Sequence, residues 1–161
     1  MQENQETNPL RARAQNLLRD GTVGNPLVAA SGNIETPLAV QAPVGRLHSW
    51  FVPVTSGDLL VGFFQFLPDG TFMRFSSFQR KVDELTGCPE AADWLDLDRI
   101  RGRAEVKRRS DETGGELFLT YDRTPDRLVW AVPLKKAEGE VRHVYVAGET
   151  VYEPPPQGAT G

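Results

Sequence analysis

Cysteine and histidine are scarce in this sequence, and their scarcity excludes several kinds of site. Cys88 is the single cysteine among 161 residues, so the chain can form neither an internal disulfide nor a cysteine-based metal cluster. His48 and His143 are the only histidines, too few for a typical structural zinc site. We therefore expect a protein that is stabilised by its hydrophobic core and uses no cofactor.

Long apolar runs and an excess of positive charge are also missing. The longest apolar run, residues 59–67, is about half the roughly 20 residues of a membrane-spanning helix and contains Gln65. A net charge of −4 disfavours a general nucleic-acid binder. The first ten residues lack the basic and apolar regions of a signal peptide. We expect a soluble, cytoplasmic protein, with the cell envelope or secretion as the alternative if a leader has been removed.

Patterns of known catalytic and phosphate-binding sites are absent too. The chain has no Gly-x-Ser-x-Gly elbow, no P-loop and no Gly-x-Gly-x-x-Gly segment. Catalysis by Ser49 or Cys88 would need a histidine held within hydrogen-bonding distance and oriented by a third group. The sequence places no such trio together, so we expect His48 on a strand face and Cys88 buried or capping a helix.

The ends of the chain are polar, and they bound a predicted single globular domain at residues 9–153. Residues 1–8 and 154–161 are predicted to be disordered tails. Asn8 as N-cap, Pro9 at the first position and Gly21 as stop predict a helix over residues 9–19. Residues 20–37 read as a loop, in which only 27–30 are suited to a short strand.

From residue 38 onward the sequence is typical of antiparallel β-structure. Short apolar runs alternate with Gly, Pro and Asp turns, interrupted by a second helix that opens near residue 88. Residues 104–109 are suited either to the end of this helix or to an edge strand. The pattern predicts an α+β fold, an antiparallel β-meander packed against one or two α-helices. The predicted strands cover residues 38–44, 47–54, 59–67, 71–78, 116–121, 127–134, 141–146 and 149–152.

One pentapeptide occurs in two related forms. Trp-Phe-Val-Pro-Val begins at Trp50, and Trp-Ala-Val-Pro-Leu begins 80 positions later, at Trp130. Pro9, Leu17 and Arg19 match residues at the same offset. Either the chain contains two repeated halves, residues 9–80 and 88–153, or two hairpins independently use proline to end a strand.

The two Trp-x-Val-Pro hairpins, residues 50–72 and 130–152, resemble those of PepSY-type and cystatin-like domains. The resemblance covers these hairpins alone. It implies a helix packed on a curled antiparallel sheet, and a role in inhibition or binding instead of catalysis.

Aromatic residues are concentrated between residues 47 and 78, more than one face of three strands needs. We expect Phe64, like Trp130, to be a core residue, because both lie in the most apolar strands. The remaining aromatic surface could line a ligand pocket or meet a partner. The candidate ligand- or partner-binding residues are His48, Trp50, Phe63, Phe64, Phe66, Phe72 and Arg74.

Three functions stay open at this point. The first is a non-enzymatic binding module that regulates a protein partner through a sheet edge or an aromatic face. The second is a carrier of an apolar small molecule in a cavity between a curved sheet and its helix. The third is an enzyme with a site near His48. The expected partners are thus a protein or an apolar small molecule, with a homodimer left open and no nucleic acid.

Overall fold

The computed structural model describes residues 2–43, 45–81 and 83–154, with side chains described from Pro9 onward. The chain forms two compact units. Unit 1 comprises Met1–Val40 and Arg46–Ala91, and unit 2 comprises Gln41–Gly45 and Ala92–Gly161. The strands form antiparallel hairpins with a few helices packed against them, which confirms the predicted α+β fold. Apart from Pro154, the predicted C-terminal tail lies outside the described residues.

Unit 1 consists of two helices followed by a small sheet. In this sheet β4 pairs with β3 on one side and β5 on the other, and β1 pairs with β3, all antiparallel. The last residue of β2, Gln41, belongs to unit 2. The elements are α1 (Gln2–Arg19), α2 (Pro26–Ser31), β1 (Asn33–Ile34), β2 (Leu38–Gln41), β3 (Leu47–Ser56), β4 (Leu59–Phe66) and β5 (Phe72–Ser77).

Two predictions for the first forty residues are wrong. The first helix starts at Gln2, so Pro9 lies inside it, and residues 2–8 are helical where a tail was predicted. Residues 27–30, predicted as a short strand, lie in α2. The Asn25 side chain caps this helix by accepting a hydrogen bond from the Val28 amide at 3.2 Å, and Pro26 follows it. An apolar run this short has no periodicity that distinguishes a strand from a helix. The Asn25 cap favours the helix.

The core of unit 1 lies between α1 and one face of β3 and β4. Leu10, Ala14 and Leu18 of α1 belong to the same buried cluster as alternating strand residues, such as Val52 and Val54 of β3 and Phe64 and Phe66 of β4. Phe64 is fully buried here, which confirms its predicted place in the core. We call this side of the sheet the helix face. The buried residues of the cluster are Leu10, Ala14, Leu18, Val28, Ile34, Val52, Val54, Val61, Phe64 and Phe66.

Unit 2 begins with two short helices and continues as a second set of hairpins. Asp96 caps α4 by accepting a hydrogen bond from the Arg99 amide at 3.2 Å. Helix α4 and a 3₁₀ turn, Glu105–Lys107, cover most of residues 104–109, so the edge strand considered there does not form. The elements are α3 (Ala92–Leu95), α4 (Leu97–Ala104), β6 (Glu112–Gly114), β7 (Phe118–Tyr121), β8 (Leu128–Lys136), β9 (Val141–Ala147) and β10 (Thr150–Tyr152).

The core of unit 2 is built around β8 and β9, on which α4 packs. Ile100 and Ala104 are the buried residues of α4. Trp130 is buried as predicted, and its indole Nε1 donates a hydrogen bond to the Trp94 carbonyl at 2.8 Å. A buried indole N–H needs such an acceptor, so this bond fixes α3 to the sheet.

The strands of the two units repeat at the 80-residue offset. Trp50 pairs with Phe66 and Trp130 with Val146, and each of the next four pairs in the two hairpins coincides after the same shift. The strands β2 and β7 also coincide, as do the pairings of β1 with β3 and of β6 with β8. Even one isolated bond repeats, because Glu35 N–H donates to the Pro53 carbonyl as Gly115 N–H donates to that of Pro133. Two unrelated hairpins would not share this register over four strands.

The helices do not follow the repeat. Pro9 lies within α1, whereas Pro89 precedes α3 and accepts a hydrogen bond from the Leu60 amide. Leu17 packs against the core of unit 1, whereas Leu97 is exposed. The matches predicted for these residues are therefore coincidental, and the repeat is limited to the strands.

Candidate interaction surface

Most of the aromatic residues predicted as site residues lie on the helix face and belong to the core. Phe64 and Phe66 are fully buried, and Trp50 and Phe72 are half-buried against the same cluster. The rings of Phe64 and Phe72 lie 6.3 Å apart between their centroids, inside this packing. These four side chains position α1, and we leave them out of the candidate surface.

The opposite face of the sheet carries a row of polar side chains across three strands. Arg74 in β5 donates from Nε to Gln65 Oε1 at 2.9 Å, and Gln65 in β4 donates from Nε2 to Ser49 Oγ at 2.9 Å. Ser49 Oγ lies 3.0 Å from Nδ1 of His48, at the start of β3. The row fixes the Arg74 guanidinium, because its Nε is bound to a buried amide.

The contact between Ser49 and His48 has the length of a nucleophile–base pair, but its setting is structural. Ser49 is fully buried, so its hydroxyl is out of reach of a substrate. The hydroxyl accepts from Gln65 and can donate to His48, which satisfies the hydrogen-bonding needs of a buried group. The enzyme hypothesis near His48 gains no support from this pair.

Phe63 anchors the aromatic part of this opposite face. Its ring centroid lies 4.6 Å from that of Phe51 and 5.6 Å from that of Phe78. The Arg74 guanidinium carbon lies 5.7 Å from the same ring centre, within the range of a cation–π contact. Of the predicted site residues, Arg74 therefore contacts Phe63, and it is linked to His48 through Gln65 and Ser49.

An exposed apolar patch lies where these strands end. Leu47 opens β3, Leu67 follows β4, and Met73 lies in β5, at a shift in the register of its pairing with β4. Their exposed fractions are 40%, 38% and 40%. The pairing of Trp50 with Phe66 brings the start of β3 beside the end of β4, so the three residues share one end of the sheet. We call them the edge patch.

Strand β5 is an open edge of unit 1, with β4 as its partner. The Phe78 amide donates to the Val61 carbonyl at 2.9 Å, which sets the alternation of the antiparallel ladder. Ser76 and Arg74 then direct their backbone groups toward β4, whereas Phe75 and Ser77 direct theirs outward. Strand β5 contains no acid, lysine or proline, which commonly protect an edge strand, but it contains Arg74 and a register shift at Met73.

Strand β10 is the edge of unit 2 and differs from β5 in its length and in the residues beside it. It has three residues where β5 has six. Glu149 precedes it, and Glu153 and Pro154 follow it. Short length, charge and proline are ways in which proteins blunt an edge against added strands. Among the described residues β5 pairs with a strand on one side alone, and β10 is the shorter and more acidically flanked of the two edges.

Charged residues of both signs surround the edge of unit 1. Residues 67–84 contain the cations Arg74, Arg80 and Lys81 and the acids Asp69, Asp83 and Glu84. Arg13 reaches the same turn, donating from its guanidinium to the Gly70 carbonyl at 3.0 Å. Exposed Arg46 immediately precedes Leu47 of the edge patch.

Polar groups in unit 2 have structural partners. The Tyr152 hydroxyl donates to Asp122 Oδ2 at 2.6 Å, and burial together with this carboxylate raises the pKa of the phenol. Burial lowers the pKa of His143, whose ring meets that of Phe118 edge-on at 5.7 Å. In unit 1, burial raises the pKa of the Cys88 thiol, which disfavours a thiolate.

Comparisons with known proteins add no assignment. Within the described residues, no three side chains of the metal-ligating types are grouped closely enough to hold an ion. No helix in this part of the chain has the length and apolar character needed to span a membrane. No protein-family model, curated protein or solved structure matches the chain. The resemblance to PepSY-type and cystatin-like domains stays a prediction.

The sequence alone did not identify the edge patch or the buried polar row. Ser49 and Gln65 are separated by a hairpin, and their contact depends on strand register. A signal was present for the patch, since Leu47, Leu67 and Met73 lie beside turns where an apolar side chain has little to pack against.

Proposed function

We propose that this protein is a non-catalytic binding module that holds a protein partner by adding one of its strands to β5. The observation that carries the proposal is the contrast between the two edges: β5 has six residues, whereas β10 has three and is flanked by Glu149, Glu153 and Pro154. An exposed edge strand is an aggregation hazard that soluble proteins usually cover, and an edge left open is suited to strand addition. Backbone hydrogen bonds along β5 would supply the affinity, and the edge patch would select among the side chains of the partner's strand.

Binding at the edge agrees better with the packing of unit 1 than a ligand cavity does. The space between α1 and the helix face is occupied by the buried cluster around Phe64 and Phe66. An apolar carrier would need this space or an equivalent one to be empty. The edge, by contrast, offers backbone groups at Phe75 and Ser77 together with exposed apolar side chains.

The proposal can be tested without knowing the natural partner. A displayed library of random peptides would be selected against the full chain, and the selected peptides titrated into isotopically labelled protein. We expect the amide resonances of Phe75 and Ser77 to shift, and Met73→Ser to weaken binding. The matched control is Val106→Ser, which removes another exposed apolar side chain, in unit 2. Selected peptides that shift no resonance of β5 would refute the proposal.

A further inference from the structure

We infer that the polar row of unit 1 is a hydrogen-bond relay whose direction is set by Arg74 and read out at His48. The donor at the edge of the sheet thereby determines which nitrogen of the histidine ring carries the hydrogen. The relay runs from Arg74 through Gln65 and Ser49 to His48, across β5, β4 and β3. It spans two inter-strand spacings, about 10 Å. The inference goes beyond the proposed strand addition and does not depend on it.

The direction of the relay starts at Arg74, because a guanidinium donates hydrogen bonds and cannot accept them. Arg74 Nε lies 2.9 Å from Gln65 Oε1, so the amide carbonyl faces β5 and the amide NH2 group faces Ser49. Gln65 Nε2 then donates to Ser49 Oγ at 2.9 Å. The amide cannot turn over without placing two donors against each other, and Gln65 is buried away from water that would relieve them.

The hydroxyl of Ser49 passes this direction on to the ring. Its oxygen already accepts from the Gln65 amide, so its single hydrogen needs a different acceptor. Ser49 is fully buried, and no buried side-chain polar atom among the described residues lacks a hydrogen-bond partner. The acceptor within reach is Nδ1 of His48, 3.0 Å away. A neutral imidazole that accepts at Nδ1 carries its hydrogen on Nε2.

The relay has two possible directions, and the residue at position 74 decides between them. With a donor there, every bond runs from β5 toward β3. With an acceptor there, the amide and the hydroxyl would both turn, and Nδ1 of His48 would become a donor. Each mismatch is costly in a buried row, which couples its two ends. Any event at the edge that draws the Arg74 guanidinium away from Gln65 would therefore be transmitted to His48, which follows Leu47 of the edge patch.

The experiment records long-range proton–nitrogen correlation spectra of the histidine-labelled full chain at about pH 8.5, where histidine side chains are neutral. These spectra show which ring nitrogen carries the hydrogen. We expect Nε2 for His48 in the wild type and in Arg74→Lys, which keeps a donor. Arg74→Glu and Gln65→Glu each replace a donor of the relay with an acceptor, so each should move the hydrogen to Nδ1. The ratio of the two forms should change by roughly tenfold or more. His143, in β9 of unit 2, is the internal control and should not change.

The two glutamate variants disturb the fold in different ways, so the inference can be tested if one of them fails to fold. Arg74→Glu removes the contact of the guanidinium with the Phe63 ring. Gln65→Glu keeps this contact and gives Arg74 a carboxylate partner of nearly the same shape as the amide.

Three results would overturn the relay. The first is a hydrogen on Nδ1 of His48 in the wild type. The second is a folded glutamate variant in which the hydrogen stays on Nε2, because position 74 would then not be coupled to the ring. The third concerns Ser49→Ala, which removes the hydroxyl link. In this background Gln65→Glu should leave the position of the hydrogen unchanged, and a change that persists would show that the carboxylate acts directly through its charge.

Discussion

The two units carry different side chains at one pair of equivalent positions: two glycines in unit 1 and an ion pair in unit 2. In unit 1 these positions are Gly32 and Gly62; after the 80-residue shift they become Glu112 and Arg142 of unit 2. A Cβ added at Gly62 would lie 2.6 Å from the Phe75 ring and 2.7 Å from the Ser76 carbonyl oxygen. Unit 1 thus has no room for side chains there, whereas unit 2 holds an ion pair.

The ion pair of unit 2 occupies the space that Phe75 of the aromatic strand β5 occupies in unit 1. Arg142 Nε donates to Glu112 Oε2 at 2.7 Å, and the same guanidinium contacts Glu153 and the Lys107 carbonyl. Glu112 is buried, and its second oxygen accepts from the Arg109 amide at 2.8 Å. In unit 1 Phe75 of the longer β5 crosses Gly62, whereas β10 ends at Tyr152.

This difference shows what the repeated topology requires and what it leaves free. The order of the strands and the register of the Trp-x-Val-Pro hairpins are common to the two units, whereas the register of the edge strands differs. The length of the edge strand differs, and with it the chemistry beneath and beside that strand. Unit 1 has a long aromatic edge strand, whereas unit 2 has a short edge strand followed by Glu153, which pairs with Arg142.

The largest effect is expected at the repeated tryptophans. Trp130→Ala should lower the free energy of unfolding by about 3–5 kcal/mol, because the indole is buried and holds the Trp94 carbonyl. Trp50→Ala should cost less, since Trp50 is half-buried and no hydrogen bond of its indole is described. Denaturant unfolding of both variants measures the difference. Equal losses would show that the two positions are energetically as well as topologically equivalent.

Much of this architecture could be predicted from the sequence. The Trp-x-Val-Pro hairpins, the turn at residues 68–70 and the α+β class follow from local patterns and turn chemistry. The early start of α1 and the helix at 26–31 could not be predicted, because a proline signal and a short apolar run favoured other structures there. The repeat of β1 and β2 in β6 and β7 has almost no sequence identity to reveal it, since backbone pairing tolerates many side chains.

A smaller effect is expected at Gly62, where unit 1 excludes a side chain. Gly62→Ala should destabilise the protein by about 1–3 kcal/mol, because its Cβ overlaps a backbone oxygen as well as the Phe75 ring. The control is Gly102→Ala in α4, where an added Cβ meets nothing within 4 Å. Alanine is favoured over glycine in a helix by about 0.5–1 kcal/mol, so this variant should be more stable. Thermal unfolding of the two variants should move in opposite directions.

The candidate surface was less predictable than the fold. His48, Phe63 and Arg74 were predicted from composition, but Phe64, Phe66 and Phe72 were predicted with them and are core residues. The sequence shows that a strand is aromatic but not which face α1 covers. The sequence predicts a longer strand at residues 71–78 than at 149–152, but which strands form the edges of the sheet is a property of the assembled fold.

The last effect is a change in the stability of unit 2 that is expected only at acidic pH. Hydrogen bonding to Arg142, followed by the Arg109 amide and nearby positive charge, lowers the pKa of Glu112 to about 2 despite its burial. A carboxyl whose pKa is lower in the folded than in the unfolded state stabilises the fold above its unfolded pKa. This contribution is lost as the pH falls from about 4.5, the usual value, toward 2.

The glycine pair of unit 1 has no titratable side chain, so it has no such pH dependence. The variant Glu112→Gln removes the titrating carboxyl of unit 2 and thereby measures its contribution to stability. Unfolding midpoints of both proteins would be recorded from neutral pH to about pH 2, where other carboxyls, such as Asp69 with its own lowered pKa, titrate equally in both. Glu112→Gln should be less stable at neutral pH, because Arg142 loses a charged partner. The two curves should converge between pH 4.5 and 2 as the wild-type carboxylate is protonated. Parallel curves over this range would show that Glu112 is not the group that couples unit 2 to acid.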